Sequence, residues 1–329
     1  MIDYKKIAVI VLIVCVAIGI IFLAVNGIQK ATFKQENPVA TIIVDGYGAL
    51  DIELYPNLAP NTVSNFVKLA NNGYYDGTTF HRIVKTFMIQ GGDGTNYDGT
   101  GVPSLTDLDS SLESKEYAIK GEFAANDFSK NNLKLRKGVL AMARGDYSSL
   151  SASLTTEGYN SAGAQFFIMT TDDIKTLDGI YCGFGQISAE YDVNTIVKDE
   201  EGIEEGKYTV FEKDGKYGVK DFNNNIVIEA TFDKIVITNK YTKDDDGNKK
   251  LSQILINTLT KTEGILDKIA NTEVQPTTDG SDPSIPVTEP VISYVRVDTK
   301  GVDYGMPKTM DTFDYYNYLM SSYTSGYSY

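Results

Sequence analysis

The chain opens with an unbroken apolar run, residues 7–25, and then changes to short alternating segments broken at Gly, Asn, Asp and Pro. Val39-Ala40-Thr41-Ile42-Ile43-Val44 reads as a strand, Asp45-Gly46-Tyr47-Gly48 as a turn, and residues 49–55 alternate as the returning strand. Pro60 suits a first helical turn. Val63, Phe66, Val67 and Ala70 follow at i, i+3, i+4 and i+7, and Gly73 ends the helix. Residues 80–93 then give two β-branched and aromatic runs around Lys85-Thr86, closed by Gly91-Gly92.

A strand points alternate side chains to opposite faces. Arg82 therefore faces away from His81, while Met88 and Gln90 share a face. Ala141 and Ala143 share a face in residues 138–144, and Gln165 and Phe167 do so in residues 162–168. These segments set an arginine, two glutamines, a methionine and phenylalanines on strand faces that could line one groove. An arginine is rarely buried unpaired, so a groove wall suits Arg82 better than a core.

In this order, Phe80-His81-Arg82 with Met88-Ile89-Gln90-Gly91-Gly92-Asp93, Gly138-Val139-Leu140-Ala141-Met142-Ala143-Arg144, Ala162-Gly163-Ala164-Gln165-Phe166-Phe167-Ile168 and Leu177-Asp178-Gly179 before Phe184-Gly185 resemble the cyclophilins. The resemblance implies a mainly β fold: a closed eight-stranded antiparallel barrel capped by two helices. It implies peptidyl-prolyl cis-trans isomerisation of proline-containing polypeptides, with no cofactor. On matching positions it implies Arg82, Phe87 and Gln90 as catalytic residues. Met88, Ala143, Arg144, Gln165, Phe167, Leu177 and Tyr181 would bind substrate, Ala143 and Arg144 through their backbone. Two positions depart from the family. Thr176 stands where a tryptophan often precedes the Leu-Asp-Gly segment, and Tyr181 where many members have histidine. The missing indole bears on binding of cyclosporin-type inhibitors more than on catalysis.

The pattern breaks after Gly185 and resumes near Thr262. This divides the chain into an N-terminal segment 1–30, barrel segments 38–187 and 262–305, an insertion 188–261 and a Tyr- and Ser-rich tail 306–329. Residues 215–235 of the insertion resemble one unit of the WG-type β repeats, with Tyr217 in place of tryptophan. One such unit buries little alone, so it is expected to pack on the barrel or pair with strands near Tyr208 and Leu251.

Residues 7–25 are long enough to cross a ~30 Å hydrocarbon core at 1.5 Å per residue. They read as an uncleaved signal anchor, with a cleaved signal or a lipoprotein as alternatives. Lys5 and Lys6 held inside would put the rest of the chain outside the cytoplasm, although Lys30 and Lys34 work against that orientation. A net charge of −14 disfavours a nucleic-acid binder. With one histidine and two cysteines, multi-His and thiol metal sites are excluded. Cys15 in the apolar run and Cys182 in a predicted barrel strand make an implausible disulfide. Residues 244–248 lack the alternating ligands and distal Glu of a calcium loop. Besides the enzyme, the pattern admits a weakly catalytic, membrane-anchored module for proline-containing segments, and more remotely an envelope structural protein.

Overall fold

The computed structural model describes residues 36–199, 203–243, 249–276, 283–314 and 317–320. The expected signal anchor lies outside them. Among the described residues no helix is long and apolar enough to cross a membrane. The described residues from Pro38 onward form one compact unit.

The elements follow the polarity pattern closely. β1 (Val39–Val44) and β2 (Gly48–Leu54) form the predicted hairpin, and α1 (Pro60–Asn71) follows. Then come β3 (Thr78–Thr79), β4 (Arg82–Val84), β5 (Met88–Gly91), the one-turn α2 (Leu105–Leu108), β6 (Ala118–Ile119) and β7 (Val139–Met142). After α3 (Thr155–Tyr159) run β8 (Phe166–Met169) and the long β9 (Gly183–Lys198). β10 (Tyr208–Lys213), β11 (Lys216–Asp221) and β12 (Ile226–Phe232) form a separate three-stranded sheet. β13 (Lys234–Lys243), β14 (Lys249–Thr262), α4 (Ile265–Ala270), β15 (Val291–Asp298) and β16 (Thr309–Met310) follow.

The main sheet is ordered β3-β15-β1-β2-β9-β7-β8-β5-β4. It curves as an open half-barrel rather than the closed barrel expected from the sequence. Its two ends, β3 and β4, follow each other in the chain with only Phe80 and His81 between them. On the free edge of β4, Ile83 donates to the Ser284 carbonyl at 2.7 Å, so the loop before β15 takes a donor that closure would have used. Phe80 donates to the Pro290 carbonyl at 3.0 Å and so continues the β3–β15 ladder.

Alternation sorts the side chains. Ile83, Ile89, Leu140, Met142, Phe166 and Ile168 turn into the core with Phe66, Tyr75, Phe80 and Phe184. Met88, Ala141, Phe167 and Met169 turn to the other face. Each fully buried ring stabilises the fold by about 1.5–3 kcal/mol. Edge-on packing of Phe166 against Phe66, Tyr75 and Phe80 adds directional contacts.

Neither α1 nor α4 caps itself with an N-cap side chain. The Glu122 carboxylate accepts from the N–H groups of Asn61 and Thr62 and from the Thr62 hydroxyl. Glu190 accepts from the N–H groups of Gly264, Ile265 and Leu266. Each carboxylate meets the positive end of a helix, satisfies donors the helix cannot, and ties two distant segments together.

β9 passes unbroken from the half-barrel, where it pairs with β2 and β7, to an outer ribbon, where residues 190–198 pair with β14 and β14 pairs with β13. Lys234 of β13 reaches back to the barrel surface. Its ammonium meets both oxygens of the buried Asp51 at 2.8 and 2.9 Å and the Thr41 hydroxyl at 2.6 Å, while Tyr191 donates to the same carboxylate at 3.1 Å. The tail returns along α1. Lys308 exchanges hydrogen bonds with Asn61, and β16 pairs with β6.

Candidate active site

The groove floor is one row of cross-strand neighbours. Arg82 stands opposite Gln90, Gln90 opposite Phe167, and Phe167 opposite Ala141. Adjacent strands lie ~4.8 Å apart, so four strands carry these side chains across one short face. The β4–β5 hairpin turns at Thr86, whose φ of 61° is uncommon for a β-branched residue, and Phe87 donates to Val84 at 3.0 Å. Gly91 and Gly92 end β5 where side chains cannot fit. A Cβ at Gly91 would lie 2.5 Å from the Thr79 carbonyl, and one at Gly92 2.7 Å from the Phe166 ring.

At one end of the row lies an apolar wall. Met88 and Phe167 are buried, and Phe87, Leu177 and Tyr181 pack against them. The Phe167 and Tyr181 rings meet edge-on at 5.5 Å. Along the rim runs a polar relay. Arg82 Nη1 donates to Gln90 Oε1 at 3.3 Å and touches Met88 Sδ at 3.8 Å. Gln90 Nε2 donates to Gln165 Oε1 at 3.1 Å, and Gln165 Nε2 donates to the carbonyls of Gly99 and Gly101 at 2.9 and 3.2 Å. A guanidinium can only donate, so this order fixes the orientation of both amides. Burial lowers the Arg82 pKa, opposed by nearby Tyr181, and the group stays a cation in the ordinary pH range.

The structure thus brings together all ten residues singled out from the sequence, but it alters what three of them have to offer. The Ala143 N–H already donates to the Gln165 carbonyl at 2.9 Å, which leaves its carbonyl for a substrate. The Gln165 amide is engaged at both ends, so it positions Gln90 in addition to facing the groove. The Arg144 guanidinium stacks 4.3 Å from Tyr181 and 4.9 Å from Tyr159 and donates to the carbonyls of Ile180 and Gly145. It props the wall from behind.

Sequence reasoning assigned no role to Asp93. This carboxylate is buried and accepts four backbone N–H groups, from Thr95 and Asn96 at 3.0 Å and from Gly99 and Gly101 at 2.9 Å. Burial pushes its pKa up, and the four donors outweigh that and hold it below the ordinary value. The loop it gathers supplies the two carbonyls that hold Gln165. The signal was there to read: an acid directly after Gly-Gly, facing a glycine-rich loop. Asp178 does similar work next to Leu177, accepting from the Leu135 N–H at 2.8 Å and pairing with Arg136. Tyr147 was also missed. It lines a cavity of about 240 Å³ beside Gln165.

With this geometry in view, comparison with known proteins fixes the family. The family model "Cyclophilin type peptidyl-prolyl cis-trans isomerase/CLD" matches residues 39–214, more than half of the chain, and the chain belongs to that family. A curated peptidyl-prolyl cis-trans isomerase 9 of Schizosaccharomyces pombe is 39% identical over 154 residues, which is 47% of this chain and 21% of the relative. A putative peptidyl-prolyl cis-trans isomerase of Staphylococcus aureus is 37% identical over 140 residues, 43% of this chain and 57% of the relative. The matches therefore span between a fifth and somewhat over half of these relatives. A crystal structure of a Cryptosporidium parvum cyclophilin type isomerase overlaps 79% of this chain and 98% of its own at 20% identity, with a TM-score of 0.43.

Asp93→Asn keeps the shape but leaves an amide group facing N–H donors in a buried site. It should lower stability by about 2–4 kcal/mol in denaturant titration, in line with the loss of charge-assisted hydrogen bonds. A stability equal to wild type would show that the loop does not need the charge.

His81, the one histidine of the chain, is buried, and neither ring nitrogen has a hydrogen-bond partner among the described residues. Burial lowers its pKa despite the carboxylates of Asp93, Glu289 and Asp98, and Arg82 adds to the lowering. The folded state therefore binds fewer protons than the unfolded chain below pH ~6.5. Stability should be fully present above that pH and fall as pH drops from there toward the lowered folded value, by at most about 1.4 kcal/mol per pH unit. In His81→Leu the slope between pH 6.5 and 5 should become shallower, whatever the absolute stability. An unchanged slope would assign it to other groups.

Proposed function

We propose that this chain catalyses cis-trans isomerisation of X–Pro bonds in polypeptides, and that it does so outside the cytoplasm on exported proteins. The observation that carries the reading is the Arg82 guanidinium, fixed by Gln90 at the rim of the Met88–Phe167–Tyr181 wall. An X–Pro bond crosses a barrier of about 18–20 kcal/mol because rotation destroys amide resonance. Lowering it takes a surface that grips the proline ring and a donor for the nitrogen lone pair that appears at the twisted state.

The apolar wall serves the first need. Phe167 and Met88 form its base, with Phe87, Leu177 and Tyr181 at its sides. Arg82 serves the second. Its charge costs little to aim at the transition state, because Gln90 and Gln165 hold it in position before substrate arrives. A donor that is stronger for the twisted amide than for the planar one raises kcat, whereas the wall contributes mainly to binding. The Ala143 carbonyl provides a backbone acceptor for an extended chain lying across the floor.

Residues 7–25 would anchor the protein, with the half-barrel and the inserted WG-like β unit, residues 188–261, on the outer side. The insert then presents a surface away from the groove and takes no part in the chemistry.

Arg82→Ala in the purified full chain should reduce kcat/KM on a proline-containing peptide about 10²–10³-fold, the range for removal of one preorganised donor. Loss of less than threefold would remove Arg82 from the mechanism. Peptide binding without catalysis in wild type would make the chain a binding module. For topology, protease added to intact cells of a bacterial host should digest the chain beyond Lys30; full protection would sink the extracytoplasmic assignment.

A further inference from the structure

We propose that the C-terminal segment sets the side-chain selectivity of the cavity beside the proline wall. Tyr147 is the selecting ring and Phe313 the residue that positions it. The substrate follows from the isomerase reading above; the geometry stands apart from it.

The cavity, about 240 Å³, is bounded by Gln90, Gln165, Pro103, Gly145, Tyr147 and Ser161. Gln165 immediately precedes β8 and Phe167 lies within it, two residues on and thus about 6.6–7 Å away in extended chain. An extended peptide has the same two-residue period. A proline seated on Phe167 therefore sets the side chain two positions away at the cavity mouth. Of the lining residues only Arg144 is charged, and its guanidinium is engaged with rings and carbonyls. The occupant is one large uncharged side chain.

Tyr147 stands on the long loop 146–160 and forms the far wall. Its ring lies over the backbone of Gly145, where a Cβ would come within 2.8 Å of it. Gly158 lets α3 close on the same turn, since a Cβ there would lie 2.9 Å from the Gly145 carbonyl. Behind Tyr147 stands Phe313, with centroids 5.3 Å apart and planes at 41°, and Phe313 in turn meets Tyr318 at 5.7 Å. Neither Tyr147 nor Phe313 is part of the barrel core.

Several contacts hold the segment in place to deliver that ring. Ser64 donates to the Gly305 carbonyl, Lys308 and Asn61 bond reciprocally, and Lys115 pairs with Asp311 at 2.6 Å. The β16–β6 ladder continues into the cavity walls, because Ile119 bridges to Ala162 and Tyr117 donates to the Pro103 carbonyl. A segment that follows the last barrel strand thus ends on the wall of a subsite formed by loops more than a hundred residues earlier in the chain.

The test measures kcat/KM on two peptide series, Xaa-Ala-Pro-Phe and Ala-Pro-Ala-Xaa, with Xaa as Ala, Leu, Phe or Glu. Wild type should favour Leu or Phe over Ala and Glu in one series. Phe313→Ala should shrink that preference about three- to tenfold, at the low end of what a pocket contact is worth, and leave the Ala peptide within about twofold. Phe313→Tyr should restore the preference, and Tyr147→Ala should reproduce its loss. The same ratios read as peptide affinities by calorimetry do not require turnover. Absence of Arg82-dependent catalysis with these affinity ratios intact would overturn the isomerase reading and leave the strap standing. An unchanged ratio in Phe313→Ala, or no dependence on Xaa in wild type, overturns the strap.

Discussion

A buried carboxylate that accepts four backbone N–H groups cannot be moved without uncovering all of them, and Asp93 is such a group. The loop it gathers has little apolar content to fold around, so the charge does the organising that a core does elsewhere. From there the dependence runs outward in one direction. The Gly99 and Gly101 carbonyls hold Gln165, Gln165 orients Gln90, and Gln90 holds Arg82. Every member of the relay has its polar partners, which is the condition under which such a network adds order rather than cost. The cation that faces the groove is thus set by a carboxylate that never touches it.

The same four strands serve as core and as groove surface. β4, β5, β7 and β8 turn one set of side chains toward Phe66 and Tyr75 and the other toward the groove. A single-residue slip in any of them would exchange the two sets. Gly91 and Gly92 defend the register by allowing an approach to Thr79 and Phe166 that no other residue permits. Groove precision therefore comes from rigid strands, while the loops that carry the cavity are free to differ in length and content.

Much of this was legible in the sequence. Period-2 alternation identified the strand faces, i, i+3, i+4 spacing identified α1, and the order of the motifs singled out the ten groove residues. What was not legible depended on partners far away in the chain. The sheet stays open with Ser284 taking the Ile83 N–H on the β4 edge, a competition that no local pattern announces. The engagement of Gln165 depends on a loop folded around Asp93, and the stacking of Arg144 on rings at positions 159 and 181. Phe313 and Tyr147 meet across 166 positions, within segments whose composition reads only as polar loop and tail.

β9 belongs to the half-barrel at its start and to the outer ribbon at its end. At about 3.3 Å per residue its sixteen residues form a beam of about 53 Å. Such a beam transmits force. Tension applied to the outer ribbon, by a bound partner or a neighbouring surface, would pass first into the β2 ladder at residues 186–191 and then to Gly183 and Gly185 beside Ala141 and Leu140, with Lys234 on Asp51 as a second attachment. Mechanically the outer ribbon is an extension of the groove's own framework, and strain at its tip is strain on the groove floor.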